Sequence, residues 1–328
     1  MVYLRGSILG PLLFIIFIND IVSIDTSAQY VIYADDTSLF FTGTNADTII
    51  ASANDTLNRL HTWTVKNSLC INCAKTKAVL FRAKSTSCKM LNSLSINNLG
   101  IEISSSAKTL GVVFHEYMSW EHHTDYIRNK LSKTVGILRK CQSILPVPQK
   151  LMLYNALFSP HLRYCHLVWA TGTKNSLHNL ITLQKNALRC IAGLSCTAHT
   201  SELFAKFNVL KVTTLYEYHL LTAFRSELIQ KGSHIRTLAN LTLNPSSRLT
   251  RHTNHWYIPR PRTNYGLQLL QYCLPSTLNK FKLTDEGLRT LSKKRYFNYG
   301  ILNSLCLKHE NCFELVCMSL KKEKNTIA

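Results

Sequence analysis

The sequence predicts an α+β protein in which a part that mixes strands with helices, residues 1–118, precedes a mostly helical part. Two observations predict this division. Short β-prone runs separated by polar turns lie before residue 118, and apolar residues at helical spacing dominate after Trp120. The chain has 328 residues, of which 46% are hydrophobic. That length and composition are sufficient for two or three packed units.

The first predicted element is an apolar run at residues 8–18. It is too short to cross a bilayer, which needs roughly 20 apolar residues. Pro11 suits the first turn of a helix, and residues 12–18 are apolar on every side, so the run predicts a buried helix. Two β-prone runs follow, at residues 30–33 and 39–41. The polar residues Asp35, Asp36 and Thr37 between them predict the turn of a hairpin.

The remaining predicted elements are mainly helices. A helix is expected from Asn45 onward, behind an Asn or Thr cap, and short strands are expected at residues 79–82 and 110–114. Apolar spacing then predicts helices at residues 120–138, 151–158 and 177–191. Residues 244–262 contain three prolines and predict a linker or extended arm. There Trp256 and Tyr257 are candidates for stacking on bases, with an ordinary loop as the alternative.

The charge of the chain is strongly positive. There are 38 Lys and Arg against 18 Asp and Glu, a net charge of +20, and residues 126–262 hold 19 basic and 3 acidic residues. Such a field attracts polyanions, and nucleic acids foremost. A solvated basic face without a specific partner is the alternative. The 11 cysteines lack the dense spacing of a secreted scaffold, which favours reduced thiols and an intracellular location, nucleus or cytoplasm.

The adjacent carboxylates Asp35 and Asp36 are the main chemical feature. Two carboxylates at the tip of an apolar hairpin repel each other unless a cation lies beside them. Mg²⁺ prefers such hard oxygen ligands and completes its shell with water and phosphate oxygens. An Asp-Asp pair alone is also ordinary turn composition.

The residues around this pair resemble a known family. Residues 6–14 read Gly-Ser-Ile-Leu-Gly-Pro-Leu-Leu-Phe and are followed by Tyr33-Ala34-Asp35-Asp36. This order resembles the reverse transcriptases of non-LTR (LINE-like) retrotransposons. Further blocks resemble the same proteins and occur in the same order along the chain, up to residue 191 and more loosely to residue 281. They comprise Leu69, Ile71, Asn72, Lys75, Thr76 and Phe81; residues 108–112 with Trp120 and His123; Tyr154, residues 160–162, Tyr164 and Trp169; and Gln184, Leu188, Arg189 and Ile191.

The resemblance implies a division into three parts. Residues 1–118 would form an incomplete palm of a right-hand polymerase, residues 119–243 a helical thumb and connection region, and residues 244–328 a C-terminal extension of unknown role. The partners implied are an RNA template, a DNA primer and nucleoside triphosphates, with Mg²⁺ as the cofactor and no membrane.

The resemblance also implies roles for single residues. Asp35 would bind the catalytic Mg²⁺ with Asp36 in support, and Lys75 would lie near the nucleotide phosphates, although a solvated loop lysine is the alternative. The other implied contacts are to nucleotide or template at Arg5, Gly6, Ser7 and Tyr33, and to primer at Leu110 and Gly111.

Departures from the family limit the expected activity. Leu4 and Arg5 stand where the family usually has Pro and Gln. The family's first metal-binding aspartate lies upstream of the Gly-Ser block, and only residues 1–5 precede that block here. We therefore expect the isolated chain to lack polymerase activity. A non-catalytic nucleic-acid-binding remnant is the main alternative, and a secreted or membrane protein with an apolar N-terminal segment is another. Zinc binding at Cys70 and Cys73, or at residues 306–317, is only weakly indicated.

Overall fold

The computed structural model describes residues 9–86, 93–244 and 255–290. The chain forms two compact units, Met1–Met118 and Ser119–Ala328. The first unit mixes helices with small sheets and the second is helical, so the α+β class is confirmed. The division into palm, thumb and C-terminal extension stays a prediction.

Strands in the first unit pair locally. Its helices are α1, Leu9–Ile18, and α2, Ala46–Lys66, and a short 3-10 helix spans Asn19–Ser23. Its strands are β1 Gln29–Tyr33, β2 Asp36–Phe40, β3 Lys77–Ala78, β4 Ser95–Ile96, β5 Leu99–Gly100, β6 Glu102–Ile103, β7 Ser106–Thr109 and β8 Val112–His115. In the described residues, β1 pairs with β2, β4 with β5 and β7 with β8 as antiparallel hairpins, while β3 and β6 are parallel.

Helix α2 supplies much of the core of the first unit. The Asn45 side chain accepts a hydrogen bond from the backbone N–H of Asp47, so the predicted cap is confirmed. One face of the helix is buried, at the spacing that the sequence predicts. The buried cluster consists of Ile18, Ile21, Ile50, Ala53, Leu57, Leu60, Leu94, Ile96 and Ile101.

Two predictions for this unit are wrong. Helix α1 forms, but of its residues only Ile18 is buried, and Leu12, Leu13, Ile15 and Ile16 are more than half exposed. A single core can cover only one side of a helix that is apolar all round. Helix α1 contacts the core of the first unit through Phe14 and Ile18. The strand expected around residues 79–82 is displaced, because β3 ends at Ala78 and residues 79–82 belong to no strand. Arg82 instead donates its backbone N–H to the carbonyl of Glu116, 2.9 Å away, outside any strand pairing.

The second unit is built from helices. They are α3 Glu121–Lys140, α4 Val147–Leu153, α5 Ser159–Arg163, α6 His166–Trp169, α7 Lys174–Ala192, α8 Ser201–Lys206, α9 Val212–Ile229, α10 His234–Leu238, α11 Leu270–Lys280 and α12 Asp285–Thr290. A π-helical turn at Tyr154–Phe158 and a 3-10 turn at Gly266–Gln268 complete the described elements. The π turn leads directly into α5, where Pro160 has no N–H to donate to the helical ladder.

Long helices pack against one another in this unit. Helix α3 packs along α7, and α7 packs on α9. Leu131, Leu138, Phe158, Trp169 and Leu180 are among the fully buried side chains. The helices predicted at residues 120–138 and 177–191 are therefore confirmed, with their apolar faces inward.

Trp256 lies in a hydrophobic core, so the expectation that it stacks on bases is wrong. Only 3% of its surface is exposed, and it packs in a cluster with residues of α9, α11 and α12. Its indole N–H donates to the carbonyl of Leu283, 2.9 Å away, and its backbone exchanges two hydrogen bonds with Asn279. The neighbouring Tyr257 is 50% exposed.

None of the helices in the described ranges has the length and apolar character that crossing a membrane requires.

Candidate metal and nucleic-acid site

The predicted aspartate pair lies at the tip of the β1–β2 hairpin. Tyr33 pairs with Asp36, so the connecting turn consists of Ala34 and Asp35 alone. The turn begins one residue earlier than expected and ends at Asp35, since Asp36 and Thr37 belong to β2. Two-residue hairpin turns require a positive φ at the first central residue, and Ala34 has a φ of 51°. Both aspartates are exposed.

The two faces of this hairpin differ. Ile32 and Leu39 lie on one face and pack against the buried cluster of the first unit. Side chains alternate along a strand, and directly paired residues share a face. Tyr33 and Asp36 therefore lie side by side on the opposite face, where Tyr33 is 66% exposed. The hairpin presents an aromatic ring and a carboxylate together to solvent.

The chain leading into β1 is tied to α2 through Asp25. The Thr56 hydroxyl donates to one carboxylate oxygen of Asp25 at 2.6 Å, and the backbone N–H of Ser27 donates to the other at 2.8 Å. These hydrogen bonds stabilise the charged form and lower the pKa of Asp25 to about 2. Asp25 thus has a structural role at the base of the hairpin.

Lys75 lies in a tight turn organised by Asn72. The Asn72 side chain and carbonyl both accept from the Lys75 backbone N–H at 3.1 Å, and the Asn72 carbonyl also accepts from Thr76. Ile71 and Cys73, just before Lys75, pack on the same buried cluster as Ile32 and Leu39. One core therefore anchors both the aspartate hairpin and the lysine turn. The Lys75 side chain itself is exposed.

A second hairpin carries Leu110 and Gly111. Thr109 pairs with Val112, and both turn residues have positive φ, 47° at Leu110 and 82° at Gly111. Positive φ at both central positions is the pattern of a type I′ turn, where glycine is favoured. The strand expected at residues 110–114 accordingly begins only at Val112. The predicted primer contact at Leu110 and Gly111 stays a prediction.

The donor set at the hairpin tip fits a hard divalent cation. Asp35 and Asp36 provide exposed carboxylate oxygens, which Mg²⁺ prefers. In the described ranges there is no group of three or more His, Cys, Asp or Glu side chains that could hold one metal ion. Asp35 and Asp36 therefore stay predicted metal ligands, and the described Cys70 and Cys73 belong to no such group.

Helix α3 presents basic side chains to solvent. Arg128, Lys130, Lys133, Arg139 and Lys140 are all exposed, while the opposite face of the helix is buried. The Lys130 ammonium lies 4.9 Å from the centre of the Tyr126 ring. Of the acidic residues of α3, Glu121 and Asp125, the second pairs with Arg128 at 3.3 Å. The exposed face can thus attract a polyanion.

Several predicted residues lie outside the described part of the chain. Arg5, Gly6 and Ser7 are among them, as are the cysteines and the histidine of residues 306–317.

The first unit is similar in sequence to a known protein family. Residues 2–113 match the family described as "Reverse transcriptase (RNA-dependent DNA polymerase)". The matched range contains Asp35, Asp36, Lys75, Leu110 and Gly111. The resemblance to reverse transcriptases is therefore confirmed for this part of the chain.

Curated relatives extend the similarity into the helical unit. The chain is 23% identical over 220 residues to "Probable RNA-directed DNA polymerase from transposon X-element" of Drosophila melanogaster, covering 65% of this chain and 24% of that protein. It is 23% identical over 219 residues to "RNA-directed DNA polymerase from mobile element jockey" of Drosophila funebris, covering 63% and 24%. It is 22% identical over 257 residues to "Probable RNA-directed DNA polymerase from transposon BS" of Drosophila melanogaster, covering 75% and 28%. The chain spans about a quarter of the length of these relatives. No solved structure matches it significantly.

The structure gives Gln184 a role that its sequence pattern did not indicate. Its side chain is 1% exposed, donates to the Tyr154 hydroxyl at 3.0 Å and to the Leu210 carbonyl at 2.8 Å, and accepts from the backbone N–H of Val212 at 3.1 Å. Gln184 therefore locks α7 to the start of α9. A buried polar residue inside an amphipathic helix is the signal that could have indicated this clamp.

Proposed function

We propose that this chain is part of an RNA-directed DNA polymerase of a non-LTR retrotransposon, with Asp35 and Asp36 as its metal-binding carboxylates. The observation that carries this proposal is the exposure of both aspartates at a two-residue hairpin tip that is anchored on a hydrophobic core. The family match and the printed names of the relatives support the same class of reaction. The substrates would be an RNA template, a DNA primer and nucleoside triphosphates.

The chain's own residues would have distinct tasks in this reaction. Bound Mg²⁺ would supply Lewis-acid stabilisation of the phosphoryl group that is transferred. Asp35 and Asp36 would hold the cation beside the exposed ring of Tyr33, which would contact the nucleotide or template. Lys75 would neutralise nucleotide phosphates from its rigid turn, and Leu110 with Gly111 would contact the primer. Arg5, Gly6 and Ser7 are proposed as further nucleotide or template contacts.

A second candidate function is nucleic-acid binding without catalysis. It is favoured by the five exposed basic residues of α3 and by the excess of 19 basic over 3 acidic residues in residues 126–262. A two-metal mechanism needs protein ligands for both metal ions. The two carboxylates of the hairpin would be too few to hold both ions. We therefore propose that the isolated chain binds a primer-template duplex but does not extend the primer. An intracellular location, nucleus or cytoplasm, would suit the free cysteines of the described ranges.

Metal binding at the hairpin can be tested by terbium luminescence. Tb³⁺ is a hard cation whose emission is excited through a nearby tyrosine, and Tyr33 lies beside Asp36 on the exposed face. We expect sensitised emission that is lost in Asp36→Asn and Tyr33→Phe, and that excess Mg²⁺ displaces. Asp55→Asn, which changes an exposed carboxylate of α2, is the control and should retain the signal. Equal emission from all four proteins would refute the metal site.

Activity and binding are separated by a second experiment. The full chain is incubated with a labelled primer-template, Mg²⁺ and nucleoside triphosphates, and duplex affinity is measured across a salt series. Salt-dependent binding without extension supports the non-catalytic form. Primer extension by the wild-type chain that is lost in the Asp35→Asn variant supports a complete catalytic centre. A chain that neither binds nor extends would contradict both functions.

A further inference from the structure

The helical unit contains a small basic pocket. Its volume is about 190 Å³, and its walls are formed by Lys185 of α7, His199 and Thr200 of the preceding loop, Ser201 and Phe204 of α8, and Lys211 at the start of α9. Sites for drug-sized ligands measure roughly 300–1,000 Å³. The pocket is therefore suited to one compact group and too small for a whole nucleotide.

The two lysines are brought together only by the fold. Lys185 and Lys211 are both half-buried, and neither forms an ion pair within 4.0 Å with a carboxylate of the described residues. Glu202 is exposed on α8, Glu217 of α9 pairs with Lys280, and neither of them lines the pocket. Two ammonium groups that line one small pocket repel each other, and an anion between them relieves that repulsion.

The walls of the pocket are held rigidly by neighbouring side chains. Gln184, the residue before Lys185, binds the carbonyl of Leu210 and the N–H of Val212, so it fixes the backbone on both sides of Lys211. The Lys211 ammonium is held 5.6 Å from the centre of the Phe204 ring. The backbone positions of both lysines relative to each other are therefore set before any ligand arrives.

A second clamp fixes the loop that carries His199. Arg189 lies one helical turn after Lys185, and its Nε donates to the carbonyl of Ala198 at 2.9 Å. The adjacent Thr200 is 6% exposed and its carbonyl accepts from Leu203 at 3.1 Å. Preorganised donors lose less conformational entropy on binding than mobile surface lysines do.

From this geometry we propose that the pocket binds one phosphate group, with Lys185 and Lys211 as its two charge partners and Ser201 and His199 as further polar donors. The ammonium groups would each donate to a phosphate oxygen, and the small volume would exclude the attached sugar and base. The phosphate could belong to a polynucleotide backbone or be free. The polynucleotide source deepens the proposed function and rests on it, whereas binding of free phosphate does not.

The test measures, from the salt dependence of duplex affinity, how many phosphates the two lysines contact. Affinity of the full chain for a labelled primer-template duplex is measured against salt for wild type, Lys185→Gln, Lys211→Gln and the double variant. Each phosphate contact contributes about 0.9 to the slope of log affinity against log salt concentration. Since both lysines would share one phosphate, each single variant and the double variant should all lose about 0.9 or less.

The control variant removes a lysine of α8 outside the pocket. Lys206 is exposed and does not line the pocket. Its charge should act independently, so the losses of affinity from Lys206→Gln and Lys185→Gln should multiply in the double variant. The losses from Lys185→Gln and Lys211→Gln should not multiply.

A second arm probes free phosphate. Inorganic phosphate, compared with chloride at equal ionic strength, should raise the thermal midpoint of wild type and of Lys206→Gln more than that of Lys185→Gln/Lys211→Gln. A non-additive loss of duplex affinity assigns the pocket to a polynucleotide, and stabilisation by phosphate without that loss assigns it to free phosphate. If the double variant matches wild type in both arms, the proposal is wrong. If wild type binds no duplex, the proposed function fails, while the phosphate arm still decides the pocket.

Discussion

Replacement of Gln184 by leucine tests how the helical unit is held together. In wild type the Gln184 side chain satisfies the Tyr154 hydroxyl, the Leu210 carbonyl and the Val212 N–H. Tyr154 and Val212 are 2% and 0% exposed, so water cannot replace the lost partners there. A buried polar group without a partner costs about 1–3 kcal/mol. Leucine fills a similar volume, so the expected loss arises mainly from these two groups and amounts to about 3 kcal/mol.

The partner substitution separates the contributions. Tyr154→Phe removes one hydroxyl but leaves Gln184 bound to Leu210 and Val212, so it should cost only about 1 kcal/mol. In the double variant the orphaned hydroxyl is absent, and the two losses should sum to more than the measured loss by about 2 kcal/mol. Gln149→Leu makes the same substitution at an exposed position of α4 and should change stability by about 0.5 kcal/mol or less.

Hydrogen exchange is the appropriate assay, because the chain forms two units and exchange reports on each segment separately. Amide protection in α7 and at the start of α9 reports the free energy of opening for these segments. We expect protection there to fall in Gln184→Leu, with little change in α2 of the other unit. Protection in α7 equal to that of wild type, or a Tyr154→Phe loss as large as that of Gln184→Leu, would refute the role of Gln184 as the clamp.

Three further predictions concern single residues. Burial lowers the pKa of His166 to about 4, below its usual 6.5, so the folded state disfavours the charged ring. Its contribution to stability is complete above pH 6.5 and should fall by about 3 kcal/mol as the pH decreases to 4. Urea titrations should show a weaker pH dependence in His166→Leu, and an unchanged one contradicts this prediction. Trp256→Ala should cost about 3–5 kcal/mol, as expected for a buried tryptophan, while Tyr257→Ala should cost little. A Trp256→Ala protein of normal stability but weaker duplex binding would instead support base stacking. Ala34→Gly should stabilise the first unit by up to about 1 kcal/mol, because glycine adopts positive φ without strain. A loss of urea stability in this variant would mean that the turn has another conformation.

The main predictions from sequence concern features that are local along the chain. The α+β class, the cap at Asn45, the helical faces of α2, α3 and α7, and the hairpin that presents Asp35 and Asp36 are all found in the structure. Each depends on residues within a few positions of one another, where period and turn composition are informative. The roles of Asp35, Asp36, Lys75, Tyr33, Leu110 and Gly111 in catalysis and binding stay predictions.

The main errors concern burial, which local pattern cannot determine. Helix α1 is apolar all round yet mostly exposed, because coverage depends on which elements surround a helix rather than on its composition. Trp256 stands among prolines and arginines in the sequence, yet it is a core residue, because α11 and the residues after it fold back over it. Its aromatic ring is equally suited to a core and to stacking, and only its neighbours in space distinguish the two.

The sequence by itself determined where the carboxylates, the basic residues and the helices lie along the chain, because period, turn chemistry and charge are properties of neighbouring positions. Only the tertiary structure decided that Lys185 and Lys211 face one pocket and that Gln184 fixes the backbone beside Lys211. These residues come from two helices and the loop between them, and no local pattern specifies their distance. Packing of α7 against α9 brings them together, because burial of the apolar faces sets how the two helices meet.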